Sequence, residues 1–550
     1  MRVLKNVHGA PAPQSEPIAG RETGMVRNAA GGYVFPVTDW IRLERFLILG
    51  TEGGTYYTDA RTLTLGNAAV VRRCLEADGS RTVETIVEIS VRGRAPSNDP
   101  ALFALAMAAS FGDPKDRRAA GEALPRVARI GTHLLHFVSF VNDMRGWGRS
   151  IKRTVGRWYT DQELDRLTRQ VLKYRQRDGW SHRDVLRLTH PKCASGQRLN
   201  DLMRWVTHPD TTQVDPKQLP LVDAFQRLQR AETVSETAGL LKEHAWLSRE
   251  MVPTEHLAQK AVWEALLPNL PMTALVRNLP VMTRLDALRP MADATRAVTA
   301  RLTDPEALRA ARVHPLALLV ASRTYGQGRS ERGSSTWTPT PAVAEALEQA
   351  CVLAFDHLEP MAGRVYLAVD VSGSMGWSHV AGLSNLTARE AAAAMAMVIA
   401  RHADRHVIKG FSAAGGGGPS SGGWAHRTAM QALPITGSST LREAVEATTD
   451  LPFGGTDCAL PMLDALERGI EADVFIVLTD NETWAGRMHP SEALRQYRRR
   501  TGIPAKLVVV GMTATECSIA DPEDAGMLDV VGFDTAAPNV IREFVGGVAA

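Results

Sequence analysis

The chain has 550 residues, 44% of them hydrophobic and 22% charged, with a formal net charge of +3. These proportions exclude a disordered, collagenous or disulfide-stapled chain, and the length predicts two or more domains. No run is apolar enough to span a bilayer and no apolar leader opens the sequence, so no membrane partner is expected. The cysteines (Cys74, Cys193, Cys351, Cys458 and Cys517) are scattered without a C-x-x-C pair. That predicts a reducing, cytoplasmic setting and argues against a cysteine zinc site.

Charge is unevenly shared. From Pro360 onward there are 15 Lys and Arg against 21 Asp and Glu, or −6, which leaves 48 against 39, or +9, before Pro360. A basic first part on an acidic second part predicts a polyanionic partner for the first.

In chain order, residues 1–30 are rich in Gly, Pro and Ala and are expected to be mobile. Trp40, Leu43, Phe46 and Leu47 recur at helical spacing, and Gly50 to Gly54 would end that helix. From Asn67 to about Tyr325 the pattern is helical nearly throughout, with short Pro- or Gly-marked breaks. Such helices predict antiparallel pairs stacked as an α-solenoid, although no fixed repeat length is present. The helical domain is assigned to 31–355, with 326–341 as a Gly-, Ser- and Pro-rich linker or long loop.

Within it, Arg149 to Arg204 carries 14 Lys and Arg against 6 Asp and Glu. Leu164, Leu167, Val171 and Tyr174 form one helix face; Arg166, Arg169, Lys173 and Arg177 line a second. Like charges at that spacing repel, and a polyanion laid along them would reverse the effect. Upstream, Arg149, Lys152, Arg153 and Arg157 mix with Trp147, Trp158 and Tyr159, a combination suited to single-stranded nucleic acid. Downstream, Ser181 and Asp184 form a capping-box pattern. It predicts a helix from His182, whose N-terminus, beside His182 and Arg183, favours phosphate. The bland reading is a solvated helix face, with Trp158 and Trp180 as core residues.

From Pro360 to the end, strand alternates with helix. That is the pattern of a doubly wound parallel sheet with helices on both faces. Its first strand runs into Asp370-Val371-Ser372-Gly373-Ser374. Two further pieces follow: Gly454-Gly455-Thr456-Asp457, and Val474 to Thr483 with Asp480 at a strand end. Two carboxylates and three hydroxyls beyond the carboxyl ends of parallel strands suit a hard divalent cation such as Mg2+. Asp370, Ser372, Ser374, Thr456 and Asp480 can bind directly or through water, leaving one position for a partner's carboxylate. This spacing resembles the metal-ion-dependent adhesion site of von Willebrand factor A domains. Ala413 to Gly423 is a Gly-rich loop without an assigned role.

From about Gly32 onward the chain resembles the Ro autoantigen family, in which a TROVE domain precedes a von Willebrand factor A domain. The matching stretches include GGYVFPVTD, KYRQRDGWSHRDVLRLTHPK, LAVDVSGSM, GGTDCALPM and DVFIVLTDNET. The resemblance implies a ring of HEAT-like helices with a basic cavity that takes single-stranded 3′ ends of misfolded noncoding RNAs. Small Y RNAs would bind outside, and polynucleotide phosphorylase or another exoribonuclease would be a partner. The RNA-binding residues expected on the two grounds together are Arg149, Lys152, Arg153, Arg166, Arg169, Lys173, Arg175, Arg177, His182, Arg183, Arg187 and Lys192. The function expected is a non-catalytic scaffold for RNA quality control. Two rivals are a metal-dependent adhesion module with merely structural basic helices, and a nuclease. Against the nuclease, no second acidic cluster lies beside the basic stripe in sequence, and no Walker loop or G-x-S-x-G elbow occurs.

Overall fold

The computed structural model describes residues 11–50, 68–191, 196–330, 334–354, 360–378, 380, 386–413, 430–449, 451, 454–532 and 534–546. Lys192, residues 51–54 and all but Ala413 of the Gly-rich loop lie outside them. The chain divides into two compact units, one of Met1–Val70 with His357–Ala550 and one of Val71–Asp356.

That division corrects two expectations. Residues 11–30 are not a mobile lead-in: Gln14, Ile18, Met25 and Asn28 are buried. Residues 31–50 belong with the C-terminal unit and not with the helical one. The physical reason is local. Ile18, Met25 and Phe35 make a small apolar cluster. The glycines that suggested mobility are turn residues, with Gly20 at φ 83° and Gly31 at φ 96°. β1 (Val26–Arg27) pairs antiparallel with β2 (Tyr33–Pro36). Helix α1 (Asp39–Leu49) follows, capped by Thr38 and closed by Gly50 at φ 78°. Its Arg45 is buried, with Nη1 donating to the Cys517 carbonyl at 3.1 Å and Nη2 to Asp529 at 2.6 Å.

In the helical unit, α-helices run from α2 (Ala69–Arg92), which is broken at the non-helical Asp78, to α17 (Pro341–Leu353). Helix α3 (Asp99–Phe111) is apolar all round, and every residue from Pro100 to Ser110 is buried. Such a helix can only be interior. It packs against α4 (Pro114–Val127) and α5 (Gly131–Met144). Packing is otherwise mainly between helices close in sequence, as stacking predicts. The ends of the series also meet: His314 Nε2 lies 3.3 Å from the Arg94 carbonyl. The described part of the 326–341 stretch is held within this unit. Trp337 Nε1 donates to the Tyr325 carbonyl at 2.9 Å and Thr340 Oγ1 to that of Leu288 at 2.6 Å.

A two-strand hairpin, β3 (Gln176–Arg177) and β4 (Trp180–Ser181), interrupts the helices. The C-terminal unit carries a six-stranded sheet of β5 (Met361–Asp370), β6 (Ala403–Phe411), β7 (Met430–Ala432), β8 (Val474–Thr479), β9 (Lys506–Gly511) and β11 (Met527–Val531). The strand order is β11-β9-β8-β5-β6-β7. All pairs are parallel except the edge pair β6–β7. β8 is buried along its whole length, as a central strand covered on both faces must be. The short β10 (Cys517–Ser518) leaves this sheet to pair with β2.

Candidate nucleic-acid interface and cation site

The basic segment occupies α6 (Arg149–Thr160), α7 (Leu164–Lys173), the β3–β4 hairpin and α8 (His182–Thr189). Glu163 caps α7, accepting from the Asp165 and Arg166 amides at 2.9 and 2.8 Å. The capping box at Ser181 and Asp184 forms as expected and starts α8. Arg149, Arg153, Arg166, Arg169, Arg175, Arg177, Arg183 and Arg187 are exposed; Lys152 and Lys173 are half-buried.

Three details differ from the sequence reading. Helix α7 ends at Lys173, so Arg177 sits on the hairpin beside Asp178, 3.7 Å away, and does not extend the helical stripe. Lys173 faces Glu250 at 3.8 Å. His182 is not an exposed capping residue. Its ring is 2% exposed, stacks on Trp158 at 6.3 Å between centroids, and bonds through Nδ1 to the Tyr159 hydroxyl at 2.7 Å. Burial pushes it down to about 4, so it is neutral at physiological pH. The position before α8 is polar, but the residue itself points inward, which a cap motif cannot reveal.

Beside these residues lies a cavity of about 430 Å³ lined by Arg175, His182, Arg183, Trp205 and Phe225 among others. The Arg175 guanidinium is 5.7 Å from the Phe225 ring centre. Trp158 is core, as the bland reading expects, whereas Trp180 is half-buried and lies 5.6 Å from Trp147.

In the C-terminal unit, Asp370 ends β5 and Asp480 follows β8, the strand paired with it. The Asp370 loop runs into the short α18 (Gly373–Trp377). The Ser372 amide donates to Asp370 Oδ1 at 2.9 Å and the Thr479 hydroxyl to Oδ2 at 2.7 Å. The Ser372 and Ser374 hydroxyl oxygens are 3.1 Å apart. Arg389, buried, donates to the Ser372 carbonyl at 3.1 Å. Thr456 is joined to the Asp480 loop by its carbonyl, which accepts from the Trp484 and Ala485 amides, each at 3.0 Å. Asp370 and Asp480 are both 0% exposed. Burial and then the neighbouring Asp370 charge push Asp480 up to about 8, against the pull of the Ser374 hydroxyl. Asp480 Oδ2 is buried without a hydrogen-bond partner among the described residues.

Two carboxylates shut away from water, with one oxygen unused, can both be ionised only when a counter-charge lies between them. The donor set therefore fits a hard cation. Among the described residues no group of three or more His, Cys, Asp and Glu is placed to hold a metal, so hydroxyls would have to supply part of the coordination. Sequence reasoning missed three supporting residues here: Thr479, Arg389 and the buried Glu482. Thr479 and Glu482 flank Asp480 closely enough in sequence to have been suspected; Arg389 comes from a separate helix, α19 (Ala388–His402).

The architecture defines a class: a helical unit joined to an α/β unit with a hydroxyl-rich Asp-x-Ser-x-Ser loop. Residues 26–363 match the TROVE domain and residues 364–545 the Ro60 vWA domain. The chain is 42% identical over 548 residues to the RNA-binding protein RO60 of Deinococcus radiodurans, covering 99% of each. It is 34% identical to the RNA-binding protein RO60 of Caenorhabditis elegans, covering 95% of this chain and 90% of that one. The crystal structure of the Deinococcus radiodurans RO (RSR) protein superposes with a TM-score of 0.70 at 41% identity, covering 93% of this chain and all of that one. The chain belongs to the Ro family. Among the described residues no helix is long and apolar enough to cross a membrane.

Proposed function

We propose that this protein is a non-catalytic RNA-binding scaffold. The helical unit takes single-stranded RNA, including 3′ ends of misfolded noncoding RNAs, in its basic region, and Y-type RNAs bind its outer surface. The observation that carries the reading is the cavity flanked by exposed Arg175 and Arg183 and walled by Trp205 and Phe225. Guanidinium groups pair with phosphates, and the groove beside them, floored by the largely buried Trp205 and Phe225, suits unpaired bases, which a duplex does not present. The names of the two RO60 relatives, both RNA-binding proteins, support the same assignment. In the C-terminal unit, Asp370, Ser372, Ser374, Thr456 and Asp480 would hold Mg2+, directly or through water. The ion would offer an open position to a carboxylate of a protein partner, and an exoribonuclease such as polynucleotide phosphorylase suits a role in RNA quality control. The setting is the cytoplasm.

The two units divide the work. Asp370→Asn is expected to abolish binding of Mn2+, used as a Mg2+ surrogate, in calorimetry, while changing RNA affinity in gel shifts by less than about threefold, since its charge is spent on the cation. Loss of RNA binding by folded Asp370→Asn protein would show that the cation site, and not the basic helices, carries the RNA. Absence of RNA binding by the wild-type protein in the same gel shifts would favour the adhesion-module reading.

A further inference from the structure

The N-terminal segment touches the two loops that carry Thr456 and Asp480. Gln14 is 0% exposed. Its Nε2 donates to Asp457 Oδ1 and to the Met488 carbonyl, each at 2.8 Å, and its Oε1 accepts from the Thr483 hydroxyl. One amide thus bridges the residue after Thr456 and the third residue after Asp480. A Cβ at Gly486 would collide with that amide, so the loop approaches it as closely as backbone allows. Asn28 grips the second loop. Its Nδ2 donates to the Asn481 carbonyl at 3.3 Å and the Thr483 carbonyl at 2.9 Å, while its Oδ1 accepts from the Gly32 amide at 2.7 Å. Between them, the Ala30 amide donates to Glu482 Oε2 at 2.8 Å.

Asn481 stands at φ 65°, in the left-handed region that few non-glycine residues adopt. A strained residue directly after Asp480 persists only where its surroundings hold it. The Ile519 amide holds its side chain, donating to Oδ1 at 3.2 Å, and Asn28 holds its carbonyl. The loops are also bonded to each other, the Cys458 amide donating to the Thr483 hydroxyl at 3.0 Å. Gln14 joins that same hydroxyl, so the junction is shared by three segments far apart in sequence.

We propose that Gln14 and Asn28 are positioning residues of the cation site, and that the N-terminal segment is part of that site. The inference rests on the cation reading given above. Magnesium accepts little departure from an octahedron of about 2.1 Å radius. A loop released from its anchors therefore loses affinity without losing any ligand.

The test uses the full chain with Mn2+ as probe. Gln14→Glu and Asn28→Asp keep shape but remove the donors to Asp457, Met488, Asn481 and Thr483. The double variant is expected to bind Mn2+ at least about tenfold more weakly than wild type, the usual effect of losing partners behind the ligands. Its circular dichroism in EDTA should match wild type. Arg21→Gln is the control. It cuts a different anchor of the same segment, the ion pairs with Asp521 and Glu523, and should lower the thermal midpoint in EDTA while leaving Mn2+ affinity unchanged. Should the double variant fail to fold, Asn28→Asp alone is read in the same way. Mn2+ affinity within twofold of wild type in the folded variant overturns the inference and leaves the cation reading intact. Absence of Mn2+ binding by the wild type, in contrast, removes the cation reading and this inference with it.

Discussion

Changing Arg166, Arg169, Arg175 and Arg183 together to Glu is expected to weaken binding of single-stranded RNA by roughly a hundredfold or more, because charge-assisted contacts contribute about 1.5–3 kcal/mol each. The four are exposed and flank the same stretch of chain from α7 to α8. Each phosphate they neutralise releases counterions, so the slope of log affinity against log salt should become shallower by about 3. Arg177 and Lys173 are poorer choices, since one has left the helix and the other faces Glu250. The check is fluorescence anisotropy across a salt series. An unchanged slope would place the stripe in solvent.

The second large effect concerns His182 and acid. Its folded value of about 4 lies below the unfolded 6.5 because burial disfavours the charged ring. The native state therefore binds fewer protons than the unfolded chain between those values. Stability from this group is complete above about pH 6.5 and falls away as pH drops toward 4, by about 3 kcal/mol in all. His182→Gln removes that titration. It should be less stable than wild type at pH 7.5, having lost the Trp158 and Tyr159 packing, and the gap should narrow as pH falls toward 4. Urea midpoints at both values measure it; a gap constant with pH would mean that His182 is not buried neutral. The same geometry makes His182 a poor choice for testing RNA contacts by substitution, because its loss disturbs the core that holds Arg183.

Much of this was legible in the residues. The period switch after Pro360 marked the parallel sheet, and Asp370, Ser372 and Ser374 stand on the tight turn after a buried strand where the pattern put them. The helical unit was readable from amphipathic periods and from Pro and Gly breaks. What escaped was non-local. Gln14 and Asn28 find their partners more than four hundred residues away, and nothing near them in sequence distinguishes a buried amide from a loop amide. Arg45 on α1 has no local sequence signal for burial, and the carbonyls of Thr515 and Cys517 and the carboxylate of Asp529 are what make it possible. The Arg177 error had a local cause. The 3, 4, 4 spacing continued past the helix end, where Tyr174 and the Asp178-Gly179 turn take over; Asp178 and Gly179 have φ values of 51° and 77°.

The claim at the centre is that the helical unit selects unpaired RNA. The direct measurement compares one structured RNA carrying a single-stranded 3′ tail with the same RNA ended blunt, at fixed salt and magnesium. Tighter binding of the tailed RNA, with the preference lost in the Arg166, Arg169, Arg175 and Arg183 variant, is the expected result. Equal affinity of the wild-type protein for the two RNAs would contradict it.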